Sequence, residues 1–231
     1  MQRAIVGIED SRFYTDRGVD LRGVGRAAVK DLLAGGTAQG ASTLTQQYVK
    51  NLRLEAAQTP AQQRATRADT VARKLQEARY ALTLARSQPK TAILQGYLNT
   101  VYFGDGSYGI QAAARHYFSV PAAQLSLPQA ALLAGVVQNP TADNPAVHPA
   151  AAVARREVVL TRLGQLHLAS AAQVRAAQAA PLGLQLRPHP ASCAPPPAPR
   201  SSASRPSTSC CRTRRWAATH TNAKPSWTTA A

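Results

Sequence analysis

Apolar residues recur at helical spacing in one segment after another, and this periodicity restricts the chain to a mainly α-helical architecture. Val71, Leu75, Ala78 and Leu82 form one stripe, and Ile93, Leu94, Tyr97, Leu98 and Val101 a second. The composition agrees: 45% of residues are hydrophobic but only 5% are aromatic, and Ala, Leu, Gln and Arg abound. The first stripe predicts a helix over about Asp69–Arg86 that packs through Val71, Leu75 and Leu82, with Arg73, Lys74 and Glu77 on its opposite side. The second opens at Lys90, with Gly104 as its C-terminal stop. Further helices are expected over Ile110–Phe118, from the Ser126/Gln129 capping box to about Gln138, over Val153–Leu166 and over Ala171–Ala179. Residues 55–69, polar and interrupted by Thr59-Pro60, read as a surface loop.

No stretch of 18 apolar residues occurs, so no segment reads as a membrane span or a signal peptide. The net charge is +16, and from Arg187 onward there are seven Lys/Arg and no acidic residue, which leaves +9 on residues 1–186. A basic body suits an anionic partner: nucleic acid, phosphate or an acidic lipid surface. The three cysteines, Cys193, Cys210 and Cys211, lie in the last 45 residues without metal-ligand spacing. Residues 187–231, rich in Pro, Ser, Arg and Thr, are expected to be a disordered low-complexity tail behind a domain of residues 1–186.

The chemistry concentrates in four places. Glu9 and Asp10 form a carboxylate pair between an apolar run (Ala4, Ile5, Val6, Ile8) and two aromatics, Phe13 and Tyr14; a carboxylate desolvated there gains basicity. Arg22, Arg26 and Lys30 share one face of a helix expected over Leu21–Leu33. The glycine-rich run Gly35–Gly40 leads into Ser42 and Thr43, and Thr43 with Gln46 has capping-box spacing. A helix start of this kind, with Ser42, Gln46 and Gln47 nearby and Lys50 a turn later, suits a phosphate or a sugar. It lacks the Gly-Lys-Ser/Thr of a nucleotide-binding loop, so an ATPase is excluded. Arg73 and Glu77, at i and i+4, are by themselves an ordinary surface ion pair.

These stretches together resemble glycosyltransferase family 51, the peptidoglycan glycosyltransferase domain of bifunctional class A penicillin-binding proteins. Five motifs carry the likeness in order over about residues 2–166: Glu9-Asp10-x-x-Phe13; Gly40-x-Ser42-Thr43-x-Thr45-Gln46-Gln47; Arg73-Lys74-x-x-Glu77; Lys90-x-x-Ile93-Leu94-x-x-Tyr97-Leu98-Asn99-x-x-x-Phe103-Gly104; and Arg155-Arg156-x-x-Val159-Leu160. The resemblance implies a lysozyme-like, mainly α-helical fold and polymerisation of lipid II into β-1,4-linked glycan at the outer face of the bacterial cytoplasmic membrane. It implies that Glu9 is the base that deprotonates the acceptor hydroxyl, and that Glu77 is the second acidic residue. Arg26, Lys50, Arg73 and Lys74 would bind the pyrophosphate, and Ser42, Thr43, Gln46, Gln47 and Asn99 would shape the sugar and phosphate subsites. No cofactor is required by this scheme, although it admits Mg or Mn on the pyrophosphate. The partners implied are lipid II, the growing lipid-linked glycan, the membrane surface and other cell-wall synthesis proteins, with no nucleic acid.

The chain departs from that pattern in places. Asp16 stands where the first motif usually has His, and Gln129 where the family often has Glu. The membrane anchor and lead-in segment are expected to be missing at one end, and the transpeptidase domain at the other. Ser87-x-x-Lys90 matches a transpeptidase nucleophile motif but joins two helices of the transferase pattern, with no Ser-x-Asn or Lys-Thr/Ser-Gly behind it. Two other readings compete: a lysozyme-like glycan hydrolase or lytic transglycosylase, which has no use for the Arg73-Lys74-x-x-Glu77 cluster, and a non-catalytic remnant that binds anionic partners.

Overall fold

The computed structural model describes residues 1–20, 42–68 and 70–188. The expected helix over 21–33 with Arg22, Arg26 and Lys30, the glycine-rich run, Asp69, and the three cysteines with the rest of the tail from residue 189 lie outside these residues.

Among the described residues nine α-helices carry the fold: α1 (Gln2–Glu9), α2 (Leu44–Ala56), α3 (Pro60–Arg67), α4 (Val71–Ser87), α5 (Lys90–Thr100), α6 (Ile110–Phe118), α7 (Leu127–Val136), α8 (Pro149–Gln165) and α9 (Ala171–Ala179). The only extended pairing among them is an isolated Tyr102–Tyr108 bridge. The mainly helical reading therefore stands. Local chemistry explains the helix starts. Thr43, Thr59, Ser126 and Ser170 each form a capping box with a Gln three residues on, so the first N–H groups of α2, α3, α7 and α9 do not go unpaired.

The helix α7 is apolar on every side, and Ala130 to Val136 are all buried. It packs against α8 and α1, and Leu132, Leu133, Leu160 and Ile5 join Phe13, Leu44, Tyr97, Phe103, Tyr117 and Phe118 in one core. Each such side chain contributes about 1.5–3 kcal/mol on burial. Arg156, buried on α8, donates to the carbonyls of Gln178 and Ala180 and so ties off the open C-terminal end of α9. Beyond α9 the chain is extended, and the backbone N–H groups of Gln185 and Arg187 donate to the carbonyls of Tyr117 and His116 on α6.

Three expectations are corrected. Thr59-Pro60 does not interrupt a loop but starts α3: Pro needs no N–H donor at the first helical position, and Thr59 caps the turn. The helix α5 ends at a Val101 cap rather than at Gly104, which lies in the turn beyond it with φ +83°. The third concerns α4. Its apolar stripe faces outward, with Val71 74% and Leu75 66% exposed, while Glu77 is 6% exposed and Ala81 is fully buried. The period was right and the buried side was the opposite one. Arg73 and Glu77 neutralise each other on that side, and the small Ala81 and Ala85 that continue it admit the backbone of Gly18.

Gly18 is buried at φ +99°, and a Cβ there would lie 2.6 Å from the Ala81 carbonyl oxygen. Gly18→Ala is expected to cost about 1–2 kcal/mol in left-handed strain and about 1–3 kcal/mol in overlap. Urea denaturation checks this, and an unchanged midpoint would contradict the packing described.

Candidate active site

The site is built around the first turns of α2. Thr43 is fully committed to the scaffold: its hydroxyl accepts from the Gln46 N–H and donates to the Gly18 carbonyl at 2.7 Å. Gln46 returns the cap by accepting from the Thr43 N–H at 2.9 Å. Ser42, just before the cap, is exposed.

One turn further along α2, Gln47 reaches the end of α1. Its Nε2 donates to Glu9 Oε2 at 2.9 Å, and its Oε1 accepts from the Tyr97 hydroxyl at 2.8 Å. Glu9, the last residue of α1, is half-buried, while Tyr97 on α5 is wholly buried. Burial, reinforced by the Glu9 charge, holds the Tyr97 hydroxyl well above its usual range, so it stays a donor. Tyr97, Gln47 and Glu9 form a chain of hydrogen bonds that points one Glu9 carboxylate oxygen at the Gln47 amide. Sequence reasoning placed Gln47 among substrate ligands and Tyr97 in the core; their bond to each other, across 50 residues, had no local signal. Tyr97→Phe leaves the Gln47 carbonyl without its donor and should cost about 1–3 kcal/mol of stability. Denaturant titration checks that, and a melting curve identical to the parent's would count against the relay.

The second cluster lies on α4, which packs on α2. Arg73 Nη1 donates to both Glu77 oxygens, at 2.6 and 2.7 Å, with both side chains less than a tenth exposed. The pair is therefore not a surface pair but a desolvated one. Lys74 is exposed beside it. Arg53, two turns beyond Gln47, bonds Gln76 of α4 at 2.8 Å and lies over the Tyr80 ring, with its centroid at 5.8 Å. From Gln47 to Arg53 is about 9 Å of helix, and Lys50 lies midway on it. Thus α2 meets Glu9 of α1 at Gln47 and Gln76 and Tyr80 of α4 at Arg53, with Lys50 between these two contacts along the helix. Asn99 is exposed near the end of α5, two residues from Tyr97, and Arg26 lies outside the described residues.

Two features of this region escaped the sequence. Asp10 is buried, as its apolar neighbours implied, but its partner lies on α2: its Oδ2 accepts from the Leu44 N–H at 3.1 Å, so the second member of the carboxylate pair caps that helix. Lys90, at the start of α5, lies 2.6 Å from Asp16 Oδ1 and over the Phe13 ring at 4.5 Å. Elsewhere, a cavity bounded by Met1, Ala4, Leu127 and Leu168 opens at the start of α1, about 10 Å of helix from Glu9, and holds none of the predicted site residues. Among the described residues no three His, Cys, Asp or Glu side chains converge as a metal cage.

A half-buried carboxylate on α1 is held by an amide of α2, and a second, buried carboxylate lies on α4 with Arg73 and Lys74. Paired carboxylates with cations nearby suit the transfer of a sugar from a phosphate-bearing donor. The comparisons with known proteins point to that class. The sequence model of the Transglycosylase family matches residues 1–164. Penicillin-binding protein 1F of Bacillus subtilis (strain 168) is 37% identical over 187 residues, 81% of this chain and 25% of its own length. Penicillin-binding protein 1A of Streptococcus oralis is 42% identical over 160 residues, 69% of this chain and 24% of its own. The crystal structure of penicillin-binding protein 1A from Haemophilus influenzae aligns with a TM-score of 0.38 at 22% identity, covering 63% of this chain and 17% of that one. The chain belongs to the transglycosylase family, the peptidoglycan glycosyltransferase domain of class A penicillin-binding proteins. It spans about a quarter of the length of these curated relatives.

Proposed function

We propose that the domain polymerises lipid II into β-1,4-linked glycan, with inversion at the donor sugar and release of undecaprenyl pyrophosphate. The observation that carries this reading is the Tyr97–Gln47–Glu9 chain of hydrogen bonds, which orients the Glu9 carboxylate of α1 against Gln47 of α2, the helix that also bears Lys50. In this scheme Glu9 takes the proton of the acceptor's 4-hydroxyl as that oxygen attacks the anomeric carbon. The leaving pyrophosphate is already anionic and needs positive charge more than a proton, which Lys50, Lys74 and Arg73, with Arg26, supply. Glu77 holds Arg73 in place through both its oxygens and so sets the direction of that charge. Ser42, Gln46 and Asn99 line the sugar and phosphate subsites, and Thr43 supports them through the helix cap.

A lipid-linked substrate requires a membrane surface, and the exposed side of α4 supports one. Val71 and Leu75 protrude there, with the exposed cations Arg64 and Arg67 on α3 and Lys74 and Arg79 on α4 nearby. Among the described residues no helix is long and apolar enough to cross a membrane, so contact through this side is interfacial. We place the reaction at the extracytoplasmic face of the cytoplasmic membrane, where other cell-wall synthesis proteins are the natural partners. A divalent cation, for which the described residues offer no cage of three His, Cys, Asp or Glu side chains, would be held through the pyrophosphate oxygens, and no step here is routed through it.

Incubation with labelled lipid II in detergent tests the reading. Polymer that lengthens with time is expected; shortened products from purified glycan strands, with no polymer from lipid II, would favour a hydrolase instead.

A further inference from the structure

Two rungs join the end of α1 to the first turn of α2: Glu9 to Gln47, and Asp10 to the Leu44 N–H. They are adjacent on α1 and one helical turn apart on α2, so whatever fixes the Asp10 rung also fixes the Glu9 rung. Asp10 is fixed from behind by the turn at 11–20. There Asp16 Oδ1 accepts from the Gly18 N–H at 2.8 Å and from Lys90 at 2.6 Å, while Asp16 Oδ2 is buried and meets no N–H or O–H donor. The Asp10 carboxyl lies within hydrogen-bonding reach of the Asp16 side chain, and it can donate to Asp16 only as a carboxylic acid. A buried oxygen without a donor, next to a carboxyl that can supply one, is the arrangement of a shared proton.

We propose that Asp10, Asp16 and Lys90 form a proton-sharing clasp that positions Glu9 against Gln47. This rests on the reading of Glu9 as the base, for which Asp16 and Lys90 are positioning residues. The charged groups facing Asp10 are Asp16 from the following turn, Lys90 from α5 and Glu9 beside it in the chain; α2 presents the Leu44 N–H. With Asp10 protonated, Asp16 and Lys90 balance each other. With it ionised, two buried carboxylates share one ammonium and the clasp loosens. Burial first, then the Asp16 charge, pushes the Asp10 carboxyl up to about 6. A carboxyl raised on folding binds its proton more tightly in the native state, so its contribution is fully present below the ordinary carboxylate range of about 4. That contribution is lost as pH rises through about 6.

The test uses the whole chain and two readouts. Thermal melts are recorded at pH 5 and pH 8 for the parent and Asp10→Asn, whose amide mimics the protonated acid by accepting from Leu44 and donating to Asp16. Asp10→Asn should be at least as stable as the parent at pH 8 and lose that advantage at pH 5. An equal deficit at both pH values would overturn the shared proton. Polymerisation kinetics are then compared for the parent, Lys90→Met and Lys90→Arg. A displaced base should cost Lys90→Met about ten- to a hundred-fold in kcat with KM little changed, and Lys90→Arg should recover part of it. A loss confined to KM, or no loss, would overturn the positioning role. If the parent makes no polymer, the reading of Glu9 falls, and the melts still decide whether the proton is shared.

Discussion

Glu9→Gln is expected to lower the rate of glycan polymerisation by about 10²–10⁴-fold, the usual contribution of a positioned general base. The argument is geometric. The substitution keeps the size and shape of the side chain, and a glutamine carbonyl still accepts from Gln47 Nε2, the bond of 2.9 Å in the parent. Glu9 ends its helix and is only half-buried, so the backbone and core have little reason to move. What disappears is the oxygen able to take a proton. A variant with the parent's melting temperature and a KM within a few-fold, but with a collapsed kcat, would locate the loss in the transition state. Rates within a factor of a few of the parent would mean that the base is elsewhere.

Arg73→Met should have the largest effect on stability, about 3–5 kcal/mol, because it leaves the Glu77 carboxylate buried without its bidentate partner. Replacing both residues, as Arg73→Met with Glu77→Leu, removes the uncompensated charge and should recover most of that stability. The positive coupling between the two sites, read from a double-mutant cycle in urea, checks the pair. Activity should not follow stability. If Arg73 meets the leaving pyrophosphate, the double variant folds well and polymerises poorly. Full recovery of both would reduce the pair to scaffolding.

Much of the fold was legible because helix starts and stops are local events. Thr43/Gln46 and Ser126/Gln129 announced two capping boxes that the structure contains, and Ala171–Ala179 lies where its pattern placed it. Thr59-Pro60 was misread because the same dipeptide serves as an interruption or a first turn, and the residues behind it were too polar to show a stripe. On α4 the error had a different origin. Hydropathy assigns the buried side to Val71 and Leu75, but the side that packs is chosen by its neighbours, and paired charges with small alanines made the other one fit. Among the candidate site residues, Glu9, Gln47, Arg73 and Glu77 could be named in advance as polar residues in motif spacing. Their partners could not, since Glu9 meets Gln47 across 38 residues and Asp16 meets Lys90 across 74.

The sequence by itself thus determined the helical class, most helix boundaries and the family, because capping, periodicity and motif order are written in neighbouring residues. The tertiary structure alone decided which side of α4 is buried, that the buried Asp10 caps α2, and that Tyr97 and Lys90 reach their partners Gln47 and Asp16 from α5. The reason is that desolvation and hydrogen-bond partnership belong to the surroundings of a side chain, which come into being only when distant segments meet.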